Sequence, residues 1–209
     1  MAWEGYWSRY GKCNDFNENG LFGRDSEKVL RPMVTLRDAT ERDSAAIARL
    51  HADSWRSAYR GIMSDEYLDN RAYSERAALW QARFSEKPNK PFFTILAETD
   101  GQLAGFACVF PNEDPIFGSF LDNLHVTPER TGQGIGRLLL NGVARRLLAD
   151  GTLGGVYLWV IEKNTRARHF YSKAGAVEVE TAVMPMPDGG RHTEARCYWP
   201  HPARLLRQS

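Results

Sequence analysis

The chain has 209 residues, 43% of them hydrophobic and 25% charged, with a formal net charge of +1. That length suits one well-packed domain with an appendage, and the near-neutral balance supplies neither the basic field of a nucleic-acid binder nor an acidic tail. Cys13, Cys108 and Cys197 lie far apart and form no C-x-x-C, and no apolar run approaches the ~18–20 residues of a membrane span, so zinc, a disulfide framework and the membrane are all disfavoured. The expectation is a cytoplasmic protein with no metal and no charged leader segment, acting on a small or peptide partner.

Residues 1–32 carry aromatics without period among Gly and Asn, and Met33 directly precedes V-T-L-R-D-A-T, which reads as a first strand. The expectation is an N-terminal extension over 1–32, a domain over 33–200 and a polar tail over 201–209. Thr40 with Asp43 resembles a capping box, and Ile47, Leu50, Ala52 and Trp55 recur near the helical period, predicting a helix over 41–58. Ser64 offers a second cap, and Tyr67, Leu68, Ala72, Leu79 and Trp80 predict another helix that ends before Pro88.

Phe92 to Glu98 and Gln102 to Phe110 are β-rich and joined at Asp100-Gly101, a strong hairpin signal. Pro111 to Pro115 reads as a loop, and Phe117 to Val126 as the next strand. Leu139, Leu140, Val143, Leu147 and Leu148 then follow the helix period until Asp150-Gly151. Val156 to Val160 is the continuous apolar run of a buried strand, and a helical crossover before it implies a parallel pair. Asn164 to Lys173 forms another helix, closed by Gly175. A hairpin, Ala176–Val183 and His192–Trp199, ends the predicted elements.

The centre of this arrangement is Asn123 to Leu140, N-L-H-V-T-P-E-R-T-G-Q-G-I-G-R-L-L-L, in which glycines stand at 132, 134 and 136 between a strand and a helix. Unpaired N–H groups at a helix start, the helix dipole and open glycines together make an anion cradle. A dinucleotide fingerprint starting at Gly132 or Gly134 would need glycine at 137 or 139, where Arg137 and Leu139 stand, and the G-K-S/T of a P-loop is absent.

The stretch V-T-P-E-R-T-G-Q-G-I-G-R-L-L-L resembles the acetyl-CoA-binding motif of the GNAT N-acetyltransferase superfamily, Q/R-x-x-G-x-G/A. Gly134 and Gly136 match its glycines, while Thr131 stands where the family has Gln or Arg. A second block, Asn164, Ala167, Phe170, Tyr171, Lys173 and Gly175, resembles the family's N-x-x-A-x-x-F-Y with K-x-G, and the likeness spans roughly 34–199.

The resemblance implies an α/β (α+β) fold: a mixed central sheet of about six or seven strands with a splayed parallel pair, flanked by about four helices. It implies transfer of an acetyl group from acetyl-CoA to a primary amine by direct attack in a ternary complex. The backbone of Leu124, His125 and Val126 would pair with the pantetheine. Gly132, Gln133, Gly134, Ile135, Gly136 and Arg137 would hold the pyrophosphate, Asn164 would contact the pantetheine, and Tyr171 would be the general acid. Tyr171 has a second reading, since Phe-Tyr late in an amphipathic helix is also ordinary core packing.

The general base is open. Some family members carry a Glu five residues before the motif Asn, where this chain has Trp159; Asp122 and His125 are nearer candidates than Glu162, and a solvent chain is another. Strict alternation allows at most one of Asp122 and His125 to face the slot. The acceptor, expected to be a small-molecule amine, is assigned to the region from Trp55 and Tyr59 to Tyr67, facing the loop 111–119 and the last hairpin. Asp65, Glu66, Asp114 and Asp122 are candidates to attract a cationic amine. Other readings stand beside this one: a catalytically silent acyl-CoA sensor, prompted by Thr131 and the missing strand Glu, or acetylation of protein N-termini or lysines. A homodimer through the last hairpin is a further expectation.

Overall fold

A computed structural model describes residues 33–85 and 90–206 of the chain. The expected extension over 1–32 and the segment around Pro88 fall outside the described residues.

Seven strands form one sheet: β1 (Val34–Asp38), β2 (Phe93–Thr99), β3 (Gln102–Asp114), β4 (Gly118–Val126), β5 (Val156–Ile161), β6 (Val177–Pro185) and β7 (Arg191–Trp199). Their order is β1-β2-β3-β4-β5-β7-β6, and only β4 and β5 run parallel. Four helices accompany them: α1 (Ser44–Ala58), α2 (Ala72–Ser85), α3 (Ile135–Ala149) and α4 (Thr165–Lys173). A 3-10 turn at Glu41–Asp43 leads into α1, and the Asp43 carboxylate accepts the Thr40 N–H at 2.8 Å. A π-helical turn, Tyr67–Arg71, leads into α2.

The two faces of the sheet have separate cores. On one, Leu139, Leu140, Val143 and Leu147 of α3 pack on Val109, Leu121, Leu158 and Trp199. On the other, Ile47 and Leu50 of α1 and Trp80 of α2 cover Leu96, Phe106 and Cys108. Cys108 and Cys197 are both buried and free, one in each core.

Three expectations need correction. Pro111 does not begin a loop, because β3 continues to Asp114; the β3–β4 ladder is irregular between Phe110 and Asp114, which is where a residue without an N–H is tolerated. The segment after Trp199 is not a polar tail throughout, since Pro202–Leu206 forms a 3-10 turn whose Leu205 is fully buried in the α3 core.

The third correction concerns β4. Cys108 pairs with Asn123 and Val109 with Leu121, so Asp122 has no partner in β3 and forms a β-bulge. The bulge resets the alternation. Leu121, Leu124 and Val126 meet the α3 core, while Asp122, Asn123 and His125 turn to the α1/α2 face.

Candidate active site

The glycine turn has the form of an open cradle. Gly132 and Gly134 take left-handed conformations, φ 80° and 85°, and a Cβ built on either would meet no atom within 4 Å. The first backbone N–H of the helix start that finds an acceptor is that of Leu138, bonded to the Gly134 carbonyl at 3.1 Å; among the described residues those of Ile135, Gly136 and Arg137 find none. Gly136 packs against Phe170 of α4, where a Cβ would lie 3.2 Å from the ring. Thr131 turns its hydroxyl back to the Pro128 carbonyl at 2.9 Å, and the Gln133 amide bonds the Glu129 carbonyl at 3.3 Å. What the turn offers a ligand is therefore backbone donors at a helix N-terminus with Arg130 and Arg137 close by, which fits a pyrophosphate.

Next to the cradle the sheet opens. β4 and β5 pair only at Ser119–Val156 and Phe120–Tyr157, and beyond Phe120 they part. Thr127 donates to the Ala104 carbonyl at 2.9 Å, so by the antiparallel alternation His125 also points its backbone groups at β3. The N–H and C=O of Leu124 and Val126 point the other way, into the gap. Of the three backbone positions expected to pair with a pantetheine arm, Leu124 and Val126 are available to do so. His125 is not.

On the α3 side of the gap sit the residues of the second motif. Asn164 caps α4, its Oδ1 accepting the Ala167 N–H at 3.1 Å, so part of its side chain has a structural task. Tyr171 is 9% exposed and packs edge-on against Trp199 at 6.1 Å. Burial, and after it the nearby Tyr59 and Cys197, raise the Tyr171 phenol well above its ordinary value, so it is protonated at neutral pH. Tyr59 is pushed up to about 12, by burial and then by the charge of Glu194, with Asn164 opposing.

That face holds a cleft of about 230 Å³ between α1, α2, β4, β5 and the last hairpin. Trp55 and Tyr59, the expected acceptor-site residues, line it. Both Asp122 and His125 reach it too, against the alternation argument, because of the bulge. Asp122 is paired with Arg83 at 2.7 Å. His125 bonds the Ser54 hydroxyl at 2.9 Å and lies against the His51 ring, tilted by 33° with the ring centres 4.5 Å apart. Burial, and secondarily the charge of Arg76, lower the His125 imidazole to about 3. The neighbouring His51, which accepts the Trp80 indole N–H at 3.1 Å, is likewise driven well down, mainly by burial. Both rings are neutral at working pH.

Several expected contributors are elsewhere. Tyr67 is fully buried, with its hydroxyl bonded to Glu75 at 2.8 Å. Asp65 pairs with the exposed Arg60 at 2.9 Å, and Asp114 accepts the N–H groups of Ile116 and Phe117 in its own turn. Glu66 is exposed and does not line the cleft. Trp159, at the position of the missing strand Glu, does line it.

Among the cleft residues that sequence reasoning missed is Glu194. It stands on β7 opposite Ile161, lines the cleft and is only 8% exposed. Burial raises its carboxyl above the ordinary 4.5, with His192 opposing. Its only signal in the sequence was an acidic residue amid the alternation H-T-E-A-R-C-Y-W, indistinguishable there from a solvent-facing one.

The sequence pattern of the Acetyltransferase (GNAT) family matches residues 46–176. An uncharacterized N-acetyltransferase, YuaI, of Bacillus subtilis (strain 168) is 35% identical over 134 residues, covering 63% of this chain and 74% of that one. Among solved structures, the PaiA N-acetyltransferase of Thermoplasma acidophilum in complex with coenzyme A aligns with TM-score 0.55 at 21% identity, covering 78% of this chain and 98% of that one. A spermidine N-acetyltransferase SpeG chimera from Vibrio cholerae and hSSAT aligns with TM-score 0.60 at 20% identity, covering 84% and 99%. The glycine cradle, the parted strand pair and the family match agree: this chain belongs to the acetyltransferase (GNAT) family.

Proposed function

We propose that the protein moves the acetyl group of acetyl-CoA to the amine of a small molecule bound in the α1/α2 cleft. The observation that carries this is the gap between β4 and β5. It opens the sheet between the glycine cradle on the α3 side and the cleft on the other. A cleft of about 230 Å³ is below the usual range for drug-sized ligands, which favours a small amine over a folded protein surface.

In this reading Gly132 to Arg137 hold the pyrophosphate, and Leu124 and Val126 bind the pantetheine as an added strand. The Asn164 amide faces the same arm. Bound acetyl-CoA supplies an activated acyl carbon with a thiolate leaving group. The Val126 N–H polarises the thioester carbonyl, and Glu194 takes the proton that the acceptor nitrogen must lose. Tyr171, held protonated, returns a proton to the departing sulfur. Glu194 suits its role because burial brings its carboxyl nearer to neutral pH.

The outer edge of the sheet, β6, exposes Val177, Val179 and Val183, which supports a homodimer through this hairpin. Light scattering would show one chain per particle if that is wrong.

The test is calorimetric titration of acetyl-CoA, with CoA and NAD as controls, followed by thiol release across a panel of amines. Micromolar binding with release is the expected result. Binding without release from any amine would favour an acyl-CoA sensor, and no binding would remove the glycine turn as a cofactor site.

A further inference from the structure

Among the described residues, the cleft contains one cation with no carboxylate closer than 4.0 Å and one anion with no ion pair. Four charged side chains line it: Arg76, Arg83, Asp122 and Glu194. Arg83 and Asp122 cancel at 2.7 Å, and Arg83 also lies over the Trp80 and Phe110 rings. Arg76 has no partner as close. Its nearest carboxylate among the described residues is Glu75 at 4.0 Å, and Glu75 is already bonded to the Tyr67 hydroxyl and to Arg71, each at 2.8 Å.

The Arg76 guanidinium sits 4.5 Å from the Trp55 ring centre, its side chain is 13% exposed, and its Nε is buried without a hydrogen bond. A guanidinium carries five donors and cannot escape its charge by losing a proton, so a largely buried one calls for an oxyanion. Glu194 mirrors it: a carboxylate 8% exposed, with no ion pair among the described residues. Charge of each sign is left over in a small space with aromatic walls, formed by Trp55, Tyr59 and Phe120.

We propose that the acceptor is a small amino acid-like zwitterion, its carboxylate held by Arg76 and its nitrogen directed to Glu194. This rests on reading the cleft as the acceptor site. A carboxylate matches the planar fork of arginine in two parallel hydrogen bonds, and the ammonium matches the lone acidic group. A simple alkylamine would leave Arg76 unmatched, and a polyamine would set a second cation beside it. The substrate named for the spermidine-acetylating structural relative is therefore disfavoured for this cleft.

The test is thiol release from acetyl-CoA with matched pairs, a set of α-, β- and γ-amino acids each beside the amine lacking the carboxylate, and with spermidine. The same compounds are titrated calorimetrically into the protein–CoA complex. The expected result is at least a 10-fold preference in kcat/KM for some amino acid over its decarboxylated partner. Arg76→Gln should bring that ratio near one, chiefly by raising KM for the amino acid, with Arg76→Lys intermediate.

Equal or better turnover of every decarboxylated amine, or of spermidine, would overturn the proposal and leave acetyl transfer standing. The wild-type ratio decides this even if the variants fold poorly. If no compound releases thiol, selective calorimetric binding of an amino acid upholds the zwitterion site while acetyl transfer fails, and binding of none of them overturns the zwitterion site as well.

Discussion

Gly118 and Gly155 touch so closely that a Cβ built on Gly118 would lie 2.2 Å from the Gly155 carbonyl oxygen. The same carbonyl accepts the Ser119 N–H at 2.9 Å, so β4 and β5 are pinned at this end and free to part beyond Phe120. Gly118 also holds φ at 84°, where a side chain is strained whatever the space. Gly118→Ala should cost on the order of 2 kcal/mol or more and lower Tm by several degrees. Thermal melts of the two proteins check this, and a Tm unchanged within a degree would mean the strands are not pinned here.

Tyr171→Phe removes the proposed proton donor and keeps the ring that packs on Trp199. Turnover should fall roughly 10²-fold in kcat, within the range for one general acid, while acetyl-CoA binding stays within a few-fold. Steady-state rates and calorimetry read the two effects separately. Full activity would leave Tyr171 with a packing role only.

For Glu194→Gln the shape is kept and the proton acceptor lost, so kcat should fall by about 10²-fold. The wild-type rate should decline as pH falls through the carboxyl's raised value, above its ordinary 4.5, and the variant should lack that limb. The acceptor's own ammonium titrates far higher, which separates the two. Removing a lone buried charge should leave Tm equal or higher. A lower Tm with an unaltered pH profile would mark Glu194 as structural.

The paired imidazoles set an acid limit on stability. His51 and His125 have folded-state values below the ordinary 6.5, the latter about 3, so the unfolded chain binds more protons between those values. Stability is then complete above 6.5 and is lost as pH falls, by up to roughly 1.4 kcal/mol per pH unit for each group. Glu194, with a raised value, acts in the opposite sense, and the Asp43 carboxylate, held low mainly by its bond to Arg37, matters only below its ordinary 3.8. Urea melts from pH 7.5 to 4.5 should show this decline, and His125→Asn should make it shallower. A flat profile would mean that the rings are protonated in the folded state.

The glycine turn was legible because its signal is local. Left-handed φ at Gly132 and Gly134, and a helix starting at Ile135, follow from residues within a few positions of one another. The same holds for Asp100-Gly101, where both residues take positive φ, 54° and 71°, as a tight hairpin turn requires. Asn164 was legible by position and only partly by role, since its Oδ1 is committed to capping α4.

The face of Asp122 was not legible. It depends on a mismatch in pairing with β3, which no property of β4 alone announces, and one extra residue sends both Asp122 and His125 into the cleft.

By itself the sequence determined the order of the main elements, the glycine turn at a helix start and the family, all carried by short-range spacing of glycine, apolar and capping residues. Only the tertiary structure decided which charges share the cleft. Arg83 and Asp122 meet across 39 positions of sequence, while Arg76 and Glu194 come to one cavity from a helix and a distant strand and, among the described residues, find no close ion pair there. Pairing and burial are properties of the packed chain, and the proposal for the acceptor rests on them.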